Sequence, residues 1–283
     1  MRLILSRKGF DSGSGGCPSP IFPDGSMISL PIPEKTSPIR YDELNWRGRN
    51  LGDLVNTLSR GKQLARYRAH LDPDLREDSL QRNPGWRPSL GQVDKAQGHL
   101  RNEGVAVGDV FLFFGLFRRV DEAMRWVGRP RHVVWGWLQI GEIASVDDDI
   151  RGAAGWAWLG DHPHLRFEVG RTNNTLYVAS ERLELPTDPA TTLPPAGTFD
   201  RFAPDRCLTA REAPGSSLWS LPRSFFPYDR LPLSFHRKPH MWSLESDRAL
   251  LRTVGRGQEF VLDLDHYPEV ARWLSDLLHE RHG

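Results

Sequence analysis

The stretch HVVWGWLQIGEI, residues 132–143, decides the fold. Val134, Gly136, Leu138 and Ile140 alternate with Val133, Trp135, Trp137 and Gln139. A period of two belongs to a β-strand, whose successive side chains face opposite sides. A second apolar run, Val110 to Phe114, follows Gly108-Asp109 inside the stretch Val105 to Phe117. The two runs predict paired strands of a small β-barrel, joined by the charged segment Arg118 to Arg131. One face would carry Trp135, Trp137 and Gln139, with Phe114 nearby. That is a flat aromatic surface beside an amide able to read a base edge. The same tryptophans would serve equally as barrel core.

Outward from this centre, Leu176 to Ala179 reads as another strand, giving a β-rich core over residues 105–180. Leu51, Leu54, Val55 and Leu58 recur at helical spacing, so Leu51 to Ser59 is predicted as an amphipathic helix ending near Gly61. Gln92 to Arg101 reads as a short helix. The C-terminal helix begins near Pro268 and aligns Val270, Trp273, Leu274, Leu277 and Leu278 on one face. Residues 185–222, rich in Pro, Thr, Ala and Gly, read as a long loop and a candidate lid.

The totals bound the function. At 283 residues the chain can bury a full core. Its 37 Lys and Arg against 36 Asp and Glu give a net charge of +1, so no global basic field holds nucleic acid. Any such binding must use a local patch. Two cysteines, Cys17 and Cys207, make no disulfide framework. With no signal-like or membrane-length apolar run, a cytoplasmic protein is the expectation, without a membrane partner. The 22 prolines favour loops and short strands over long helices.

Candidate chemistry starts at the N-terminus. Leu3-Ile4-Leu5 reads as a strand, followed by the glycine-rich run Ser6 to Pro20 and, after the turn Pro23 to Ser26, a second strand at Met27 to Ile32. This predicts an N-terminal β-hairpin. A glycine-rich loop after a strand lets backbone amides approach an anion. Ser6, Arg7, Lys8, Ser12 and Ser14 are therefore candidate phosphate ligands, and Asp11 a candidate acid or base. The loop fits neither GxxxxGK[ST] nor GxGxxG, and a plain flexible connection fits its spacing as well.

His70-Leu71-Asp72-Pro73-Asp74 places an imidazole and two carboxylates within five residues, able to act as acid, base or metal ligands. The alternative is that Asp72 and Asp74 only shape a turn. His162-Pro163-His164 brings two imidazoles close, but without a third clustered ligand the spacing predicts no metal site. Near the C-terminus His236, Arg237 and Lys238 form a basic segment, and Arg252, Arg256 and Glu259 follow around Gly255 and Gly257.

The runs LILSRKGFDSGSGGCPSPIFPDGSMISLPIP (3–33), HLDPDL (70–75), GDVFLFFGLFR (108–118), VVWGWLQIGEI (133–143) and VGRGQEFVLDL (254–264) together resemble the third of the bacterial and phage families of nucleotide-modification-associated domains. The likeness covers nearly the whole chain. It implies association with systems that make or handle modified nucleobases in DNA or RNA, phage defence among them. It brings no established reaction, cofactor or catalytic residue set.

The expected architecture is α+β: one body over residues 1–283, with a central barrel similar to the PUA and EVE kind, the N-terminal hairpin and flanking helices. The leading functional expectation is an enzyme acting on a nucleotide or a base by glycosidic or group-transfer chemistry. Asp11, His70, Asp72, Asp74 and Glu259 are its candidate catalytic groups. His236, Arg237, Lys238, Arg252 and Arg256 would neutralise phosphate beside the N-terminal loop. The alternatives are a non-catalytic reader using Phe114, Trp135, Trp137 and Gln139, and a structural subunit of a modification complex with protein partners. No cofactor and no oligomeric state follows from the sequence.

Overall fold

The structure is a computed structural model, describing residues 1–150, 154–166, 172–255 and 259–279. Its spine is the twenty-residue strand Trp126–Ser145. This strand pairs antiparallel with Val110–Val120, and Asp121 closes the turn between them by accepting the amides of Ala123 and Arg125. The charged segment expected as a connection is thus mostly strand. Its outward positions are simply exposed, as alternation allows.

The main sheet runs in the order Glu259–Asp263, Arg2–Arg7, Val110–Val120, Trp126–Ser145, Thr175–Ala179, Ser89–Gln92. Ser19–Ile21 and Ala196–Thr198 add to it beside the two long strands. It curls into a half-barrel. A three-stranded sheet of Leu218–Pro222, Arg248–Arg252 and Trp242–Glu245 packs nearby. The Pro-rich stretch read as one long loop therefore contributes two of these strands, Ala196–Thr198 and Leu218–Pro222.

There is no N-terminal hairpin. Arg2–Arg7 pairs parallel with Val110–Val120 on one side and antiparallel with Glu259–Asp263 on the other. Leu3, Ile4 and Leu5 are fully buried, as befits an interior strand covered on both faces. The chain leaves the sheet at Arg7 and rejoins the same neighbour at Ser19, opposite Phe117. The glycine-rich loop is this excursion, so Met27 and Ile28 lie elsewhere: Met27 in the main apolar cluster, and Ile28 against a second one that includes Phe10, Phe22, Tyr41, Trp46 and the helix Leu51–Leu58.

Three of the four residues expected to form a base-reading surface lie inside the core and are already committed. Trp137 is fully buried and donates to the Pro194 carbonyl at 3.0 Å. Gln139 donates to the carbonyls of Gly108 and Glu184 and accepts the Glu184 amide, tying that loop to the sheet. Phe114 packs edge-on against His132 and Trp219. Trp135 alone reaches a cleft.

His132 shows what such burial does. Its Nδ1 accepts the Trp219 indole N–H at 3.0 Å, and burial together with Arg7 pushes its imidazole down to about 3. The unfolded chain takes up this proton near pH 6.5, whereas the folded chain holds off until about 3. Stability contributed by the neutral ring is therefore lost as pH falls through that window. His132 alone should cost about 2 kcal/mol between pH 7 and pH 5. Urea denaturation of the wild type and of His132→Leu at both pH values reads this as a difference in pH slope; equal slopes would sink it.

Candidate functional site

Asp72 stands at the centre of a buried polar cluster. It follows Ala69–His70, a short strand paired with Ile32–Pro33. Its Oδ1 accepts the Gly91 amide at 2.6 Å and lies 3.6 Å from His162 Nε2. Its Oδ2 lies 3.7 Å from His70 Nε2, 3.8 Å from His164 Nε2 and 3.5 Å from Lys8 Nζ. Burial opposes the charge on Asp72, but Lys8, His70 and His164 more than offset it and hold the carboxyl below its ordinary range.

Lys8 also approaches Glu259, with Nζ 3.9 Å from Oε1. Glu259 is paired in register with Ser6 and takes a hydrogen bond from Gln92 Nε2. Its Oε2 is buried without a hydrogen-bond partner, and burial pushes this carboxyl upward, opposed by Lys8. One ammonium thus serves two buried carboxylates.

The imidazoles arrive from His162-Pro163-His164, at a short 3-10 turn packed against Ser89–Gln92. A Cβ on Gly91 would lie 2.2 Å from the His164 ring, so a glycine is needed there to admit it. Burial pushes His162 down to about 4 and His164 down to about 3, so both are neutral at pH 7. His70, Asp72 and His164 each offer a ligand atom, all within 4.8 Å of one another. Of the two imidazoles in His162-Pro163-His164, only His164 belongs to this group; its companions lie some ninety positions earlier in the chain.

A cleft opens beside this cluster, where the two apolar clusters meet. It encloses about 690 Å³, counting the space open to solvent at its mouth. Trp46, Trp135 and Phe199 supply flat walls; Asn45, Asp72, Arg76 and Asp200 supply polar groups. Trp46 and Trp135 are buried, and neither indole N–H has a hydrogen-bond partner. Arg76 is held by Asp200 at 2.8 Å and by Asp78 at 2.9 Å.

The family model of nucleotide modification associated domain 3 matches residues 2–263. The chain belongs to that family. No curated protein and no solved structure is significantly similar to it. Membership gives this nucleotide modification associated domain a role connected with nucleotides, and among its described residues no helix is long and apolar enough to cross a membrane.

Of the residues singled out in this domain from sequence, Ser6, Lys8, His70, Asp72 and Glu259 meet in or beside the cluster. Asp11 does something else. Its Oδ1 accepts the amides of Gly13 and Ser14, its backbone pairs with Ser14 and Gly16, and its Oδ2 binds Arg7 at 2.9 Å. Four amides of the supposed phosphate cradle are thus spent inside the loop, around Ser12 and Ser14. Asp74 accepts both Arg82 Nη groups at 2.6 Å and the Trp86 indole at 3.1 Å, beside a second pocket.

The C-terminal basic residues are similarly dispersed. His236 is fully buried, with Nδ1 on the Ser234 carbonyl and Nε2 on the Val254 amide. Arg237 pairs with Glu103 at 3.1 Å, while Lys238 and Arg252 are exposed. Arg256 lies outside the described residues. Sequence reading missed Gly91, Gln92, Asn174, Trp46 and Arg76; the paired imidazoles of His162 and His164 were the one available signal.

Proposed function

We propose that this chain is a nucleotide- or nucleobase-modifying enzyme whose base lodges in the cleft against Trp46 and Trp135. The observation carrying this reading is one cleft walled by the rings of Trp46, Trp135 and Phe199, with polar groups from Asn45, Asp72, Arg76 and Asp200 at its edge. A nucleobase offers ring faces that stack on such walls and edge groups for the polar side chains beside them. Asp72 belongs both to the cleft wall and to the buried cluster, so the reacting end of the substrate lies toward it. An ionised Asp72 suits a general base or the stabilisation of a cationic sugar-like centre, which supports glycosidic or group-transfer chemistry. The natural setting for that activity is a DNA or RNA modification system, phage defence included.

The test has two parts. Nucleoside monophosphates are titrated against the protein, with Trp135→Leu expected to weaken binding about tenfold, within the 1–3 kcal/mol per stacked base. Nucleosides digested from DNA and RNA of expressing cells are then compared by mass spectrometry with those from cells carrying Asp72→Asn. A nucleoside gained or lost only with the wild type supports the enzyme. Binding without any such change assigns the protein to the readers instead, and no binding at all overturns the cleft.

A further inference from the structure

We propose that His70, Asp72 and His164 hold one divalent first-row transition ion through His70 Nε2, Asp72 Oδ2 and His164 Nε2. The site shares Asp72 with the nucleotide reading but rests on the buried cluster alone, and its test reads metal uptake, which can fail or succeed whether or not a nucleotide binds.

The first support is geometric. Two ligands about 2.1 Å from one ion stand at most about 4.2 Å apart. The Nε2 to Oδ2 separations of 3.7 and 3.8 Å already satisfy this limit, and the outer bound of 4.8 Å needs a contraction of about half an ångström at most. All three residues are buried, His70 and Asp72 on one segment and His164 on another, where Gly91 both anchors Asp72 Oδ1 and leaves room for His164.

The second support is the tautomer of His164. Asn174 Nδ2 donates to the His164 carbonyl at 2.9 Å, which fixes its Oδ1 toward His164 Nδ1 at 2.8 Å. Nδ1 therefore carries the proton, and Nε2, the unprotonated ring nitrogen, lies 3.8 Å from Asp72 Oδ2. A hydrogen-bonded outer nitrogen is how metal-binding histidines are usually oriented. His70 Nδ1 lies 3.8 Å from Glu34 Oε2, too far for a hydrogen bond that would fix its tautomer.

His162 is excluded by the same logic. Its Nδ1 accepts the His164 amide at 3.3 Å, so its proton sits on Nε2, directed at Asp72 Oδ1. It stands 3.6 Å from Asp72 Oδ1 and is not one of the three ligands. Lys8 competes for Oδ2, but Glu259 stands ready to take the ammonium when the ion enters. Two imidazoles and one carboxylate select Zn²⁺, Fe²⁺ or Co²⁺ over Mg²⁺ and Ca²⁺, and leave coordination positions open.

The experiment titrates Co²⁺ into the chelator-treated full chain, followed by its visible absorption and by equilibrium dialysis, with Zn²⁺, Mg²⁺ and Ca²⁺ as competitors. One Co²⁺ per chain is expected, displaced by Zn²⁺ and not by Mg²⁺ or Ca²⁺. His70→Ala and His164→Ala should each weaken it more than about tenfold, and His162→Ala should not. Asn174→Ala, which removes no ligand atom, should weaken it about 10–100-fold and alter the Co²⁺ spectrum, with Asn174→Asp restoring both. No stoichiometric uptake by the wild type, or uptake surviving in the folded His70→Ala/His164→Ala double variant, overturns the site.

Discussion

Lys8→Met should cost the fold about 3–5 kcal/mol, the penalty of leaving buried charge without its partner. The Lys8 side chain is 11% exposed, while those of Asp72 and Glu259 are each 1% exposed. Methionine keeps the length and removes the ammonium. Two carboxylates then share a dry site, and Gln92, Gly91 and the neutral imidazoles cannot supply the lost charge. Because burial already favours the protonated form of Glu259, replacing that residue too removes half the problem. The double variant Lys8→Met/Glu259→Gln should therefore be more stable than Lys8→Met alone. Denaturant midpoints of the four proteins complete the cycle. If Lys8→Met melts within about 1 kcal/mol of the wild type, the ammonium is not what holds the carboxylates together.

Asp74→Ala should be similarly costly, about 3–5 kcal/mol, for a different reason. Asp74 grips Arg82 with both oxygens, and Arg82 lies over the Trp86 ring at 4.3 Å. Burial pushes the Asp74 carboxyl upward and the guanidinium pulls it back. Without the carboxylate, a guanidinium 11% exposed is left unpaired and the Trp86 indole loses its acceptor. The loop Arg76–Trp86 would then lose its anchor to the strand Ser89–Gln92. The companion variant Asp74→Leu/Arg82→Met should recover much of the loss, since well-packed apolar groups can replace a buried pair. Thermal melts decide it: an Asp74→Ala protein as stable as the wild type would show the pair to be ornamental. Two residues apart, Asp72 and Asp74 thus hold different partners, Asp72 the imidazoles and Lys8, Asp74 the guanidinium of Arg82.

The fold was legible where one local pattern sufficed. Alternation in residues 132–143, the apolar runs at Leu3–Leu5 and Val110–Phe114, and the helical spacing of Leu51–Leu58 and Pro268–His279 each correspond to an element. What the patterns could not supply was partnership. Leu3–Leu5 reads the same in a hairpin as in the middle of a parallel pair, and only Val110–Val120 and Glu259–Asp263 on its flanks distinguish the two. The alternation of Trp135, Trp137 and Gln139 located one face of the strand. It could not say that loops at Glu184 and Pro194 cover most of that face.

The site was legible in halves. His70 and Asp72 stood out as a local motif, and so did His162 and His164. Their meeting depends on Gly91, which offers its amide to one half and its missing Cβ to the other. No sequence signal marks a glycine in a short strand for that task. Lys8 was chosen as a phosphate ligand and lies instead between carboxylates, because the loop that begins with it folds around Asp11.

That loop leaves and rejoins a single strand, with Arg7 opposite Phe114 and Ser19 opposite Phe117. Its two ends therefore stand almost in line, whatever lies between them. Doubling the length of such a tether adds only about 0.6 kcal/mol of closure entropy. Closure entropy therefore sets little limit on the length of the exposed turn at Ser12 and Gly13, while Gly15 and Cys17 stay packed against the second apolar cluster. Lys8, fixed by its amide bond to the Phe114 carbonyl at the first step of the detour, stays in place through all such changes. Evolution can thus experiment with an exposed surface here while the buried charge beneath it remains untouched.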